Sequence, residues 1–187
     1  MKKLLLLAML ACAMPASAYA YADAASPDAP VNVLLAGSAA SNRIWIALSP
    51  DGRDYVIDSI VPLEVGGTVC ANPPDVPTEL ICRASGVASF EFNADGGDDR
   101  IIIDRAVTIP VTVRCGPGKD YVAGGGGRER LFGGEGADRL LGRAGNDIIF
   151  GGAGVDSLVG GNGNDLLRGG LGVDFLIPGS GIDSVRE

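Results

Sequence analysis

Residues 115–186 divide without a gap into eight nonapeptides: CGPGKDYVA, GGGGRERLF, GGEGADRLL, GRAGNDIIF, GGAGVDSLV, GGNGNDLLR, GGLGVDFLI and PGSGIDSVR. The fourth residue of every nonapeptide is glycine. The sixth is always acidic: Asp120, Glu129, Asp138, Asp147, Asp156, Asp165, Asp174 and Asp183. The eighth is always aliphatic: Val122, Leu131, Leu140, Ile149, Leu158, Leu167, Leu176 and Val185. A repeat this regular predicts one structural unit per nonapeptide.

Each nonapeptide predicts a tight turn followed by a short strand. Glycines at the first, second and fourth positions allow a positive φ, which side chains disfavour. In the strand, the eighth residue points inward while the seventh and ninth point outward. Two nonapeptides form one coil, so residues 18 apart stack. The sequence therefore predicts an all-β chain with a C-terminal parallel β-roll and one column of acidic residues along each edge.

The nonapeptides resemble the RTX (repeats-in-toxin) family of hemolysin-type calcium-binding repeat proteins, whose pattern is GGxGxDxUx. GGAGVDSLV and GGNGNDLLR match that pattern at every specified position, and a degenerate copy lies at residues 94–102. The resemblance implies calcium ligation by sixth-position carboxylates and by backbone carbonyls near the second and fourth positions. The carboxylates are Asp120, Asp138, Asp147, Asp156, Asp165, Asp174 and Asp183. The carbonyls belong to Gly116, Gly118, Gly134, Gly136, Gly145, Gly152, Gly154, Gly161, Gly163, Gly170, Gly172, Gly179 and Gly181.

Stacked acidic residues need a cation. Coils lie ~4.8 Å apart, and at an effective dielectric constant of 20 each pair of neighbouring carboxylates repels by ~3 kcal/mol. Calcium accepts six to eight oxygen ligands, and three gaps on each edge would hold about six ions. Glu129 and Arg143 depart from the pattern on one edge, so we expect the position between the loops of Glu129 and Asp147 to bind calcium weakly or not at all. Folding of the roll should depend on calcium.

Four segments are predicted along the chain. Residues 1–20 are a signal peptide, residues 21–30 a disordered start of the mature chain, residues 31–114 a β-rich N-terminal module, and residues 115–186 the roll. The module carries short β-branched runs separated by turn signals, and no segment has helical periodicity. Glycine becomes abundant after residue 115, which places the boundary there.

The cysteines fit an exported protein. Cys70 and Cys82 are expected to form a disulfide, and a loop of this size gains ~3 kcal/mol in the chain-entropy model. Cys115 is then left over. We expect it to be a buried thiol; intermolecular pairing or exchange with the other two cysteines are the alternatives.

The N-terminus predicts secretion. Two lysines, an apolar run from Leu4 to Ala13 and small residues at 16–20 form a Sec-type signal peptide. The run is too short to span a bilayer, and no later segment is long and apolar enough. Lipid attachment at Cys12 is the alternative to simple cleavage.

Charge and composition exclude several functions. The net charge is −8, and loss of Lys2 and Lys3 with the signal peptide makes it −10. Nucleic acid is therefore not an expected partner, whereas cations are. The chain contains no histidine, which removes the His-dependent nucleophiles and zinc sites. We predict that the protein is not an enzyme.

Two functions follow. The first is a secreted calcium-binding protein whose roll folds on binding Ca²⁺. The alternative is an adhesion or surface-attachment scaffold in which calcium is only structural. We expect one apolar face of the roll to pack on the N-terminal module or on another molecule, such as a protein or cell-surface partner. One face carries Ala123, Leu141, Val159 and Ile177, and the other carries Phe132 and Phe150. Ordinary apolar surface is the competing interpretation of these residues.

Overall fold

The computed structural model describes residues 18–23, 31–59, 63–66, 70–71, 75 and 78–187, and in this part of the chain it contains strands and one 3₁₀ turn, Ala84–Gly86. Most of the predicted signal peptide, 1–17, lies outside the described residues. Of the segment expected to be disordered, 21–23 lie in a strand and 24–30 are outside the described residues. The predicted all-β architecture with a parallel roll is confirmed.

Two nine-stranded sheets face each other. The first contains β1 (Ala18–Asp23), β2 (Val31–Ala36), β5 (Leu63–Gly66), β8 (Val87–Asn93), β10 (Val111–Pro117), β12 (Glu129–Gly136), β14 (Ile148–Gly154), β16 (Leu166–Gly172) and β18 (Ser184–Arg186). Its spatial order is β18-β16-β14-β12-β10-β8-β2-β1-β5. All pairs from β2 to β18 are parallel, and β1 pairs antiparallel with β2.

The second sheet has the same parallel part and an antiparallel extension. It contains β3 (Arg43–Leu48), β4 (Asp54–Ser59), β6 (Cys70–Ala71), β7 (Glu79–Arg83), β9 (Arg100–Ile103), β11 (Tyr121–Ala123), β13 (Arg139–Ala144), β15 (Ser157–Asn162) and β17 (Phe175–Ser180). Its order is β17-β15-β13-β11-β9-β3-β4-β7-β6. The strands β4, β7 and β6 form an antiparallel insertion.

The solenoid begins upstream of the predicted boundary. Strand β10 contains residue 115 and pairs with β8 on one side and β12 on the other. The solenoid makes about five turns over residues 90–186. The N-terminal part therefore stacks on the end of the roll and continues both sheets, rather than covering one outer face.

Eighth-position side chains form the core of the roll. Val122, Leu131, Leu140, Ile149, Leu158 and Leu167 are fully buried between the two sheets. Their neighbours upstream are Val113, Ile101 and the aromatic pair Phe90 and Tyr55, whose ring centroids lie 5.2 Å apart. One continuous core therefore joins the N-terminal part to the roll.

The predicted disulfide is confirmed. Cys70 and Cys82 are opposite each other in β6 and β7, and their sulfur atoms are bonded. Cys115 is a free, fully buried thiol. The disulfide ties the outermost strand of the antiparallel insertion to its neighbour.

Tight stacking of the turns should make the fourth-position glycines irreplaceable. A Cβ added at Gly154 would lie 1.5 Å from the carbonyl oxygen of Gly136, at a φ of +146°. We expect Gly154→Ala to lower the free energy of unfolding by about 3 kcal/mol, because both the clash and the backbone are unfavourable. Gly52→Ala is the control, since Gly52 also has a positive φ, +72°, but nothing near its Cβ position; its cost should be about 1 kcal/mol. Urea unfolding in calcium measures both, and equal losses would contradict tight stacking.

Candidate metal centre along the two edges of the roll

One column of side chains runs along the first edge of the solenoid. Its residues are Asn42, Asp99, Asp120, Asp138, Asp156 and Asp174. The backbone N–H of each residue donates to the side-chain Oδ1 of the next, over 2.6–3.0 Å. One carboxylate oxygen of each aspartate thus fixes the register of successive coils.

A second column runs along the opposite edge: Glu129, Asp147, Asp165 and Asp183. The same N–H···Oδ1 hydrogen bond links each residue to the next at 2.8 Å. The column begins at Glu129, because the residue paired with Glu129 in the preceding coil is Val111. The structure thus brings the seven predicted aspartates together in two columns, four on the first edge and three on the second.

The other carboxylate oxygen has no partner. Within the described chain, the Oδ2 atoms of Asp99, Asp120, Asp138, Asp147, Asp156 and Asp165 and both carboxylate oxygens of Glu129 are buried without a hydrogen bond. An unpaired buried polar group costs ~1–3 kcal/mol, and more when it is charged. Such a row of orphaned oxygens is the arrangement that a row of cations would satisfy.

Backbone carbonyls face the same oxygens. A Cβ added at Gly133 would lie 2.2 Å from Asp138 Oδ2 and 2.5 Å from the carbonyl oxygen of Gly151 in the next coil. Gly142, Gly151 and Gly160 have the equivalent surroundings. First-position glycines therefore leave a narrow space in which a carboxylate oxygen and a carbonyl oxygen meet. A carbonyl oxygen beside a carboxylate oxygen that has no hydrogen bond favours a cation there.

The glycines whose carbonyls are predicted to bind calcium lie in the last residues of the strands or in the turns that follow. All thirteen glycines named above have a positive φ. Their carbonyls stack along the roll axis: a Cβ added at Gly136 would lie 1.7 Å from the oxygen of Gly118, and one at Gly134 would lie 2.1 Å from that of Gly116. Whether these carbonyls ligate calcium stays a prediction.

Burial makes the columns difficult to ionise without a cation. It raises the pKa of Asp99, Asp120, Asp138 and Asp147 to about 6, although the N–H donor from the preceding coil opposes the shift. Burial and the neighbouring charge of Asp147 raise the pKa of Glu129 to about 8, and the nearby N–H of Gly125 and the positive charge of Arg143 oppose this. The pKa values of Asp156 and Asp165 are also raised by burial.

The donor set fits calcium better than a transition metal. No group of three or more His, Cys, Asp or Glu side chains converges within the described residues. A cation between two loops would therefore take most of its ligands from backbone carbonyls and only one or two from carboxylates. Calcium accepts an all-oxygen set of this kind in irregular geometry, whereas zinc prefers nitrogen and sulfur.

Three features of the columns were missed in the sequence. Asp99 extends the first column, and Asn42 ends it with its side-chain amide, which donates to the oxygens of Ser38, Ala94 and Asp99. The first-position glycines, with their carbonyls beside Oδ2, are the third. The degenerate copy at 94–102, with glycine, aspartate and isoleucine at its fourth, sixth and eighth positions, was the signal for Asp99.

The outward faces are partly covered by the protein itself. Ala123 is fully buried, Leu141 and Val159 are half-buried, and Ile177 is 44 % exposed. On the other sheet, Phe132 and Phe150 stack with their ring centroids 5.4 Å apart. On each sheet, these side chains pack against the equivalent side chains of neighbouring coils. A partner for either face stays a prediction.

Comparison with known proteins identifies the repeats. A family model described as the RTX calcium-binding nonapeptide repeat (4 copies) matches residues 123–158 and again residues 150–185. No curated protein and no solved structure matched the chain. Among the residues that the structure describes, no helix is long and apolar enough to cross a membrane. Residues 123–185 of this chain are therefore RTX-type calcium-binding nonapeptide repeats.

Proposed function

We propose that this chain is an exported, non-enzymatic calcium-binding protein whose roll folds when calcium binds between successive loops. The observation that carries the proposal is the row of buried carboxylate oxygens without partners, six of them Oδ2 atoms in equivalent positions. Bound calcium would supply the positive charge and the coordination that these oxygens lack. Because such sites exist only when two coils are stacked, binding energy becomes folding energy.

The geometry sets the expected number of ions. On the first edge, four gaps lie between consecutive aspartates from Asp99 to Asp174. On the second edge, the gaps from Asp147 to Asp183 are bounded by aspartates on both sides. Occupation of these positions gives about six ions, with weak affinity typical of extracellular modules at millimolar calcium.

Export and the lack of enzymatic activity rest on separate observations. The Cys70–Cys82 disulfide is typical of an oxidising compartment, and the signal-peptide pattern at 1–20 agrees with it. The absence of histidine removes the commonest general base. The adhesion scaffold is the second candidate: the stacked Phe132 and Phe150, with the Arg114 guanidinium 5.4 Å from the Phe132 ring, form an ordered outward surface.

Calcium should order the roll, and Asp156, in the middle of the first column, should be needed for full calcium binding. We expect chelated protein to gain β structure on titration with calcium, followed by far-UV circular dichroism and by ion counting. Asp156→Asn weakens the gaps on both sides of Asp156, so it should lose one or two ions and raise the calcium midpoint by about tenfold. The control is Glu135→Gln, which removes an exposed carboxylate of the roll outside both columns. A wild-type signal that ignores calcium would refute the proposal.

Acid should partly replace calcium. The raised pKa values, about 6 for Asp120 and Asp138 and about 8 for Glu129, mean that the folded roll binds protons more tightly than the unfolded chain, whose carboxyl groups titrate near pH 4. Without calcium, the stability of the roll therefore falls as pH rises through the window from about 4 to 8. We expect chelated protein to contain more β structure at about pH 5 than at about pH 8.

Saturating calcium should reverse this order, because calcium and protons compete for the same carboxylates. Circular dichroism at the two pH values, with chelator and with calcium, gives the four measurements. Chelated protein that is more ordered at the higher pH would contradict the assignment of the buried columns.

A further inference from the structure

One residue near the end of strand β13 has a side chain where the repeat pattern requires glycine. Arg143 occupies the second position of its nonapeptide and keeps the left-handed backbone of that position, with a φ of +78°. It pairs in register with Gly161 of the next coil. A side chain rarely adopts this conformation, so the turn keeps its geometry although the arginine is conformationally unfavourable.

The side chain of Arg143 reaches two coils along the second edge. Its Nη1 donates to the carbonyl oxygens of Gly124 and Ile103, each over 2.7 Å. Gly124 follows Ala123, which pairs with Ile102, so Gly124 and Ile103 are equivalent residues of successive coils. Gly124 is the first residue of its nonapeptide, and Ile103 takes the same place in the coil before it. Both carbonyl oxygens are therefore equivalent to those that lie beside Oδ2 elsewhere in the roll.

First-position carbonyls elsewhere in the roll face an orphaned carboxylate oxygen. Gly151 faces Asp138 in this way, and Gly160 faces Asp147. On the second edge, the carbonyl beside Glu129 is that of Gly142, since a Cβ added at Gly124 would contact both the Gly142 oxygen and Glu129 Oε2. By the same register, the carbonyl of Gly124 faces the preceding coil, in which Val111 takes the place of a carboxylate. The charged guanidinium nitrogen of Arg143 thus contacts a first-position carbonyl oxygen that has no column carboxylate beside it.

We propose that Arg143 supplies the positive charge at the N-terminal end of the second edge, at the carbonyl oxygens of Gly124 and Ile103, in place of a calcium ion. This inference rests on the proposed function, because it assumes that the other positions bind calcium. On the first edge, the Asn42 amide ends the column in a comparable way, with nitrogen donors directed at the oxygens of Ser38, Ala94 and Asp99. Both columns therefore end, toward the N-terminal part, in nitrogen donors of the protein itself.

The test is the number of calcium ions bound by the folded full chain at saturating calcium, counted by native mass spectrometry. Arg143→Gly restores the repeat pattern, so the variant should bind one more ion than the wild type. Arg143→Lys keeps the charge and should leave the number unchanged. Arg139→Ala removes an exposed arginine from the same strand, β13, and controls for the change in net charge.

The outcomes separate cleanly. One extra ion in Arg143→Gly alone supports the proposal. An extra ion in both Arg143→Gly and Arg143→Lys would mean that the arginine only obstructs the position, which overturns the proposal that its charge replaces calcium. An unchanged number of bound ions in Arg143→Gly would overturn the proposal as well. If the wild type binds no calcium at all, it is the proposed function that fails, and the count distinguishes that case.

Discussion

Each column aspartate divides its two carboxylate oxygens between two tasks, and the roll depends on this division. Oδ1 accepts the N–H of the equivalent residue one coil earlier, as Asp138 does from Asp120 at 2.9 Å, and so fixes the stacking register. In Asp138, Asp147, Asp156 and Asp165, Oδ2 is buried beside a carbonyl oxygen and has no donor among the described residues. The hydrogen bond that orders the coils therefore also brings like charges together, which costs ~3 kcal/mol per pair at a dielectric constant of 20.

The core can offset only part of that cost. In the roll, each strand buries one aliphatic side chain, such as Leu140 or Ile149, which contributes about 1.5–3 kcal/mol. The turns between strands are built largely of glycine, the residue that loses the most conformational freedom on folding. Consequently the buried aliphatic side chains determine which residues face inward, whereas a cation at the turns has to stabilise the stacked coils.

The repeat period made the roll predictable because every required residue type recurs at a fixed spacing. In one nonapeptide of residues 115–186, Gly154 marks the tight turn, Asp156 marks the edge column and Leu158 marks the core. The upstream coils were missed because their spacing changes: Asp99 lies 21 residues before Asp120, and Asn42 lies 57 residues before Asp99. A loop at 104–110 and the antiparallel insertion lengthen these coils, so a nine-residue frame does not detect them.

The candidate site was predictable in its side chains but only partly in its main chain. The place of Asp156 in the column was predictable because the sixth position of every nonapeptide is acidic. The carbonyl of Gly151 beside Asp138 Oδ2 was not, because it depends on the stacking distance of two coils, which a sequence does not state. The role of Arg143 depends in the same way on which carbonyls its guanidinium reaches.

Stability should be graded along the axis of the solenoid. At the N-terminal end, the Asn42 amide, the Cys70–Cys82 disulfide and a wide aromatic core hold the coils by interactions that need no ion. Toward the C-terminal coils, the core side chains become accessible: Leu167 is fully buried, whereas Val185 is 42 % exposed. Sites in the C-terminal coils therefore depend on the neighbouring coils for both packing and register. A bound ion contributes most to stability in these coils, because the packing of the protein itself contributes least there.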